Sequence, residues 1–103
     1  MTTTALVTAP PAEARELARR LVDRRLAACV NLVPCTSIYR WEGSVAEDDE
    51  AILLAKTTED RFDELVDRIV EWHSYDVPCV ERVDVADAHE PFASWCAEAV
   101  AEE

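Results

Sequence analysis

The stretch that decides the fold is Cys29-Val-Asn-Leu-Val-Pro-Cys-Thr-Ser-Ile-Tyr-Arg-Trp41, followed by a turn at Glu42-Gly43-Ser44 and the return Ala51-Ile-Leu-Leu-Ala-Lys-Thr57. The first part is rich in β-branched and aromatic residues, and Pro34 inside it indicates an edge strand or a bulge. The return is a nearly continuous apolar run, which favours a strand covered on both faces. Gly43 is the single glycine, and we expect it at a positive φ. The segment predicts a long β-hairpin.

The segments on either side of this hairpin alternate between strand and helix patterns. Ala14, Leu17, Ala18 and Leu21 recur with helical spacing. The predicted flanking elements are a strand over 3–9, a helix over 11–26, a helix that begins at Thr57-Thr58-Glu59-Asp60 and ends near Trp72-His73, a strand over 79–85 and a helix that opens at Pro91. The order predicts a single α+β domain over 1–103. We expect a ferredoxin-like βαββαβ sandwich with a long central β-hairpin and a C-terminal helix.

The charge balance is strongly acidic, with 22 acidic residues, 10 basic residues and a net charge of −12. This charge disfavours nucleic acid and anionic membranes as partners. Lys56 is the single lysine beside nine arginines, and such a Lys-poor acidic surface suits concentrated salt, where charges are screened. The composition therefore predicts a halophile's protein, with an acidic mesophile protein as the alternative. The chain shows neither a signal peptide nor an apolar run near about 18 residues, so the expected location is the cytoplasm and no membrane span is expected.

The cysteines and the common catalytic motifs argue against several kinds of site. The four cysteines are Cys29, Cys35, Cys79 and Cys96. In a reducing cytosol we expect free thiols, and without a CxxC pair a zinc ribbon is not expected. The chain also has neither a nucleophile elbow nor a glycine-rich phosphate loop. We therefore expect a protein that is not an enzyme.

The length of the hairpin predicts an oligomer. Strands of about twelve residues span about 40 Å, whereas a domain of this size has a radius of gyration of about 13 Å. The hairpin must therefore extend beyond its own core. It carries Ile38, Tyr39, Trp41, Ile52 and Leu54, and an overhanging apolar hairpin needs cover from another subunit.

Four motifs resemble the CutA divalent-cation tolerance family. They are Leu26-Ala-Ala-Cys-Val-Asn-Leu-Val-Pro34, Ser37-Ile-Tyr-Arg-Trp-Glu-Gly43, Glu50-Ala-Ile-Leu-Leu-Ala-Lys-Thr57 and His73-Ser-Tyr-Asp-Val-Pro78. The resemblance covers essentially the whole chain. It implies a ferredoxin-like subunit in a tight homotrimer with sheets packed around the three-fold axis. It also implies a link to tolerance of copper and other divalent cations, and an architecture like that of the PII signal-transduction proteins.

Two departures from the family pattern bear on a metal site. Ser74 stands where the family usually has Pro, and Cys79 stands where it usually has Glu. Glu81 lies two positions later, on the same strand face. Because copper accepts thiolate, imidazole and carboxylate ligands, we expect a metal site, within one subunit or between subunits, whose ligands are drawn from Cys29, His73, Cys79 and Glu81. The alternative is that the cysteines fill apolar space, an interpretation strongest for Cys96.

A second predicted site is a ligand cleft formed by Lys56, Tyr39, Trp41 and Tyr75. Lys56 ends a buried strand, so its ammonium is expected to face an anionic ligand or a carboxylate such as Glu81. The aromatic residues are alternatively core or interface side chains.

Three functional hypotheses follow. The first is a cytosolic homotrimer that requires no cofactor. It either binds copper or another divalent cation or mediates tolerance to such ions. The second is a PII-like sensor of a small anionic metabolite. The third is a trimeric signalling scaffold.

Overall fold

The computed structural model describes residues 1–102 and confirms the predicted order of elements. The elements are β1 (Thr2–Ala9), α1 (Pro11–Asp23), β2 (Cys29–Trp41), β3 (Ser44–Thr58), α2 (Glu59–Trp72), β4 (Val80–Asp84) and α3 (Glu90–Ala99). The four strands form one antiparallel sheet in the order β2-β3-β1-β4. This is the α+β, ferredoxin-like arrangement expected from the sequence.

The hydrophobic core lies between one face of the sheet and the helices α1 and α2. Alternate residues of the central strands point into it, and Ala5, Val7 and Leu53 are fully buried there. Leu17 and Leu21 of α1, with three apolar residues of α2, close the core from the helix side. The α2 residues are Phe62, Leu65 and Ile69. Helices α1 and α2 therefore cover the same face of the sheet, while Cys96 of α3 packs in a second, smaller cluster with Ala28 and Val100.

The hairpin extends well beyond this core, as predicted. Strands β2 and β3 pair without interruption from Cys29↔Lys56 to Trp41↔Ser44, but β1 follows β3 only as far as Ala9↔Ala51. Residues 44–50 are therefore paired with β2 alone, and the molecule is 45 Å long but 26 Å and 20 Å across. Pro34 lies in edge strand β2, and the uninterrupted register shows the predicted edge without the alternative bulge.

The hairpin turn has two residues in left-handed conformation. Glu42 has a φ of 48° and Gly43 a φ of 81°. Positive φ at both central residues is typical of a type I′ turn, whose twist matches that of the flanking strands. The predicted positive φ of Gly43 is confirmed. Glu42 also adopts a left-handed conformation, because the two-residue loop requires it at both central positions.

Several boundaries differ from the prediction. Helix α1 ends at Asp23 rather than near 26, because Arg25 adopts a φ of 58°. The amide of Leu26 then donates to the carbonyl of Leu21, which turns the chain into the core. β3 begins at Ser44 and includes the acidic run Glu47-Asp48-Asp49-Glu50, since β2 pairs with β3 from Ser44 onwards. β4 is shorter than expected, whereas α3 begins one residue before Pro91.

The helices are short. The longest, α2, has 14 residues, and among residues 1–102 none is long and apolar enough to cross a membrane.

Candidate functional site: the open face of the sheet

The face of the sheet turned away from α1 and α2, here called the open face, carries most of the predicted site residues. Strand alternation and register assign its members. They are Cys29, Asn31, Val33, Cys35, Ser37, Tyr39 and Trp41 of β2, Ala46, Asp48, Glu50, Ile52, Leu54 and Lys56 of β3, Thr4, Leu6 and Thr8 of β1, and Glu81 and Val83 of β4. Its centre is apolar and its ends are polar.

Cys79 and Glu81 place two potential metal-ligand atoms close together at the β4 edge of the sheet. The Cys79 Sγ lies 3.9 Å from the Glu81 Oε1, and both residues are exposed. Burial of the thiol and the negative charge of Glu81 raise the pKa of Cys79. The thiol is therefore protonated at rest, and a metal that binds there must displace its proton.

The other predicted ligands lie elsewhere. Cys29 is opposite Lys56 on β2, whereas Cys79 precedes β4 at the far edge of the sheet. Three strand spacings separate these edges by about 14 Å, which is too far for one metal ion. Within residues 1–102, the structure brings together no group of three His, Cys, Asp or Glu side chains that would hold a metal.

The side chain of His73 is fully buried on the helix side of the chain, and both ring nitrogens are engaged. Its Nε2 lies 2.9 Å from the carbonyl oxygen of Thr8, so Nε2 carries the proton and donates it. The amide of Tyr75 donates to Nδ1 at 3.0 Å. A metal would have to break one of these hydrogen bonds, so this geometry offers no ready ligand at His73 and separates it from Cys79 and Glu81.

Glu13 fixes the loop beside His73. Its Oε2 lies 3.2 Å from the His73 Nδ1 and accepts the amide hydrogen of Ser74 at 3.0 Å. Burial tends to raise the pKa of Glu13, but hydrogen bonds from Ser74 outweigh it, so the pKa is lowered. The His73 region therefore acts as a structural clasp between α1, β1 and the loop after α2.

Two tyrosine–carboxylate pairs line the end of the open face where β1 stops. The Tyr75 hydroxyl donates to the Glu50 Oε2 at 2.9 Å, and Glu50 is only 6% exposed. Burial, with this hydrogen bond, raises the pKa of Tyr75 to about 12. The Tyr39 hydroxyl donates to Asp48, which raises the pKa of Tyr39. Both tyrosines are therefore neutral donors held by carboxylates.

Lys56 and Trp41 mark the two ends of the hairpin on the open face. The Lys56 Nζ donates to the Asn31 side-chain oxygen, and in the described part of the chain it has no ion pair with a carboxylate. The pairing with Glu81 is not formed, because β1 lies between the two strands. Trp41 is 62% exposed at the hairpin tip, far from the other predicted cleft residues. One chain therefore does not close a cleft around all four.

Sequence and structure comparisons agree on the relatives of this chain. The CutA1 divalent ion tolerance protein family matches residues 3–99. This chain belongs to that family. The divalent-cation tolerance protein CutA of Thermus thermophilus is 46% identical over 95 residues, which are 90% of this chain and 92% of that protein. Human protein CutA is 41% identical over 88% of this chain and 52% of its own length.

Solved CutA structures share the fold. The Thermus thermophilus protein superimposes with a TM-score of 0.90 at 44% identity, covering 95% of this chain and 97% of that one. The Archaeoglobus fulgidus CutA, which is described as a periplasmic divalent cation tolerance protein, gives a TM-score of 0.94 at 34% identity over 98% of this chain and all of that one. The family resemblance and the ferredoxin-like fold are both confirmed.

Sequence reasoning missed three residues that shape the site in this CutA family member. Glu50 ends the acidic run Glu47-Asp48-Asp49-Glu50, yet it is buried against Tyr75. Its place two residues before Ile52 in an alternating strand was the available signal. Asn31, the partner of Lys56, shares that alternation on β2. Glu13 gave no signal, because its partners Ser74 and His73 are about sixty residues away.

Proposed function

We propose that this CutA family member is a cytoplasmic homotrimer that binds copper or another divalent cation and thereby contributes to tolerance of such ions. The observation that carries the proposal is the Cys79–Glu81 pair, which presents a thiol and a carboxylate 3.9 Å apart at an uncovered sheet edge. A thiol and a carboxylate suit copper-type cations better than the hard cations Mg²⁺ and Ca²⁺, which prefer oxygen ligands alone.

A neighbouring subunit would complete this site. One chain offers two donors, whereas copper and zinc sites take three or four ligands. The pair lies beside β4, an edge strand of the sheet, where a second chain can approach. The metal is thus expected to bind the assembled protein more tightly than a separated subunit.

The homotrimer itself is supported by the exposed apolar hairpin. Ile38, Trp41 and Val45 are 62–70% exposed, and such a surface on an overhanging hairpin is unstable in water unless another subunit covers it. The family resemblance implies three subunits around one axis. Membership of the divalent-cation tolerance family supports the link to metal ions.

The test is isothermal titration of the purified, reduced protein with Cu(I), Cu(II) and Zn²⁺. Cys79→Ser and Glu81→Gln should each weaken copper binding at least about tenfold, about 1.4 kcal/mol. Cys35→Ser is the matched control, because this thiol lies on the open face opposite Glu50, away from the pair. If both variants bind copper with the affinity of the parent, Cys79 and Glu81 are not metal ligands.

A PII-like sensor of a small anion is the second candidate. It is favoured by Lys56, the single lysine, whose ammonium faces Asn31 rather than a carboxylate. Titration with nucleotides in the same calorimeter separates the candidates. A nucleotide that binds the parent and is lost in Lys56→Gln would favour the sensor, whereas copper binding unaffected by Lys56→Gln favours the metal site.

A further inference from the structure

Half of the basic residues in this acidic chain lie in one short segment. Residues 15–25 hold five of the ten basic side chains and only two acidic ones. Two of the five, Arg20 and Arg24, lie one helical turn apart at the C-terminal end of α1, and neither has a carboxylate partner among residues 1–102. Their guanidinium carbons lie 4.1 Å and 5.7 Å from the centre of the Trp72 ring. One indole ring therefore holds two positive charges in place.

The contact with Trp72 leaves the hydrogen-bond donors of both arginines unused. A guanidinium over an aromatic ring is attracted through the face of its plane, whereas its N–H groups lie within that plane and point outwards. Within residues 1–102, the donors of Arg20 and Arg24 meet no acceptor. Because the ring already restricts both side chains, an oxyanion that binds them pays little further loss of rotamer freedom.

Helix α2 adds a third arginine on the side that faces α1. Arg68 lies one turn before Trp72 on the same side of α2, and this side faces α1 because Arg61, seven residues earlier, donates to the carbonyl of Arg25. The Arg68 Nη2 pairs with Glu71 at 3.3 Å. Its Nε, however, is buried and has no hydrogen-bond partner among residues 1–102. A buried donor without an acceptor is destabilising, and a bound anion would supply the acceptor.

A groove opens between α1 and Trp72 beside these side chains. We call Arg20, Arg24, Arg68 and Trp72 the arginine seam. The groove has a volume of about 360 Å³ and is lined by Ala12, Glu13, Glu16, Leu17, Arg20 and Trp72. Glu13 is engaged with Ser74 and His73, so Glu16 is the one lining carboxylate that has no partner within the described residues. The groove thus has room for a small ligand and one opposing charge.

We propose that the arginine seam binds a small anion with two linked phosphate groups. Guanidinium groups match phosphate oxygens with paired hydrogen bonds. Two linked phosphates offer enough oxygens to bridge Arg20 and Arg24, and a small rotation of Arg68 brings its Nε to a third oxygen. The ligand is small, because a net charge of −12 repels a long polyanion such as nucleic acid.

This site goes beyond the proposed function. The seam lies on the helix side of the sheet, whereas Glu81 and Lys56 lie on the open face. Cys79→Ser and Lys56→Gln should therefore each bind pyrophosphate with the affinity of the parent. A failure of copper binding leaves the seam untouched, and a failure of the seam leaves the copper site untouched.

The test is isothermal titration of the full chain, freed of metal with EDTA, with inorganic pyrophosphate in about 0.1 M KCl. We expect a dissociation constant below about 1 mM. Arg20→Gln/Arg24→Gln should raise it at least about tenfold, and Arg68→Gln at least about threefold. The matched control is Arg15→Gln/Arg19→Gln on the other side of α1, which also changes the net charge from −12 to −14 and should leave the affinity unchanged.

Two further measurements sharpen the test. Glu16→Gln removes the opposing carboxylate and should tighten pyrophosphate binding, a gain that a damaged fold would not produce. ADP carries the same two linked phosphates on a nucleoside. If ADP binds at least about tenfold more tightly than pyrophosphate, the seam takes a nucleotide. If it does not, the seam takes the free pyrophosphate group.

Four results would overturn the arginine seam as a binding site. The first is a parent that binds no pyrophosphate at millimolar concentration. The second is parental affinity in Arg20→Gln/Arg24→Gln or in Arg68→Gln, each checked for its fold by circular dichroism. The third is an equal loss in Arg15→Gln/Arg19→Gln, which would indicate a general effect of net charge. The fourth is sulfate that binds as tightly as pyrophosphate, which would show attraction of any anion.

Discussion

The two halves of strand β3 share one backbone but have different environments. Residues 51–56 lie between β1 and β2, and Leu53, Ala55 and the adjoining Thr57 are fully buried. Residues 44–50 pair with β2 alone, and Val45 is 70% exposed. The inner half is stabilised by its own chain, whereas the outer half carries apolar and acidic side chains that its own chain leaves exposed. A single strand thus joins a buried core to an exposed surface, which the proposed homotrimer would cover.

The largest expected effect is on the inner half. Leu53→Ala should lower the free energy of unfolding by about 2–5 kcal/mol, because it leaves a cavity in a fully buried site. Chemical denaturation monitored by circular dichroism measures this loss. Val45→Ala is the matched truncation in the outer half and should leave the folded spectrum intact. Any loss it causes should depend on protein concentration, and an equal, concentration-independent loss in both variants would contradict the comparison.

The next effect is on the outer half. Trp41→Asp should shift the protein towards smaller species in light scattering while the circular dichroism spectrum is retained. A charge in a covered interface is desolvated without a partner, and we expect a loss of about 2–3 kcal/mol in assembly. Val77→Asp is the control, since Val77 is 89% exposed in the loop before β4. If Trp41→Asp assembles like the parent, the hairpin tip lies outside the interface.

The contrast between the two halves also explains what the sequence predicts well. Period-two and period-3.6 patterns identify each element, because burial under α1 and α2 demands apolar residues at fixed spacing. The hairpin overhang follows from strand length alone. The sequence does not predict the early end of α1, because Arg25 adopts a positive φ, which is uncommon for a residue other than glycine.

The candidate site was less accessible to sequence reasoning. Strand alternation correctly places Cys79 with Glu81, because the two are neighbours in the chain. Whether His73 can bind a metal depends instead on its hydrogen bond to the carbonyl of Thr8, 65 residues away in the chain. Likewise, the burial of Glu50 depends on Tyr75 folding back over the sheet. Local spacing predicts local pairs, and contacts across the fold require the register and the loops.

The smallest effect concerns the junction where the two halves of β3 meet, which the Glu13–His73–Thr8 clasp braces at the end of β1. The pKa of Glu13 is lowered on folding from an ordinary value of 4.5. A carboxyl with a lowered pKa stabilises the folded state above the unfolded pKa, and this stabilisation is lost as pH falls through the folded pKa. Glu13→Gln should therefore lower the free energy of unfolding by about 0.5–1 kcal/mol at pH 7, and the difference from the parent should shrink below about pH 4.5.

Denaturation curves at several pH values measure this difference in unfolding free energy. The control is Glu16→Gln, which changes an exposed carboxylate on the same helix. A difference that stays constant down to about pH 3 would show that the charge of Glu13 does not brace this junction.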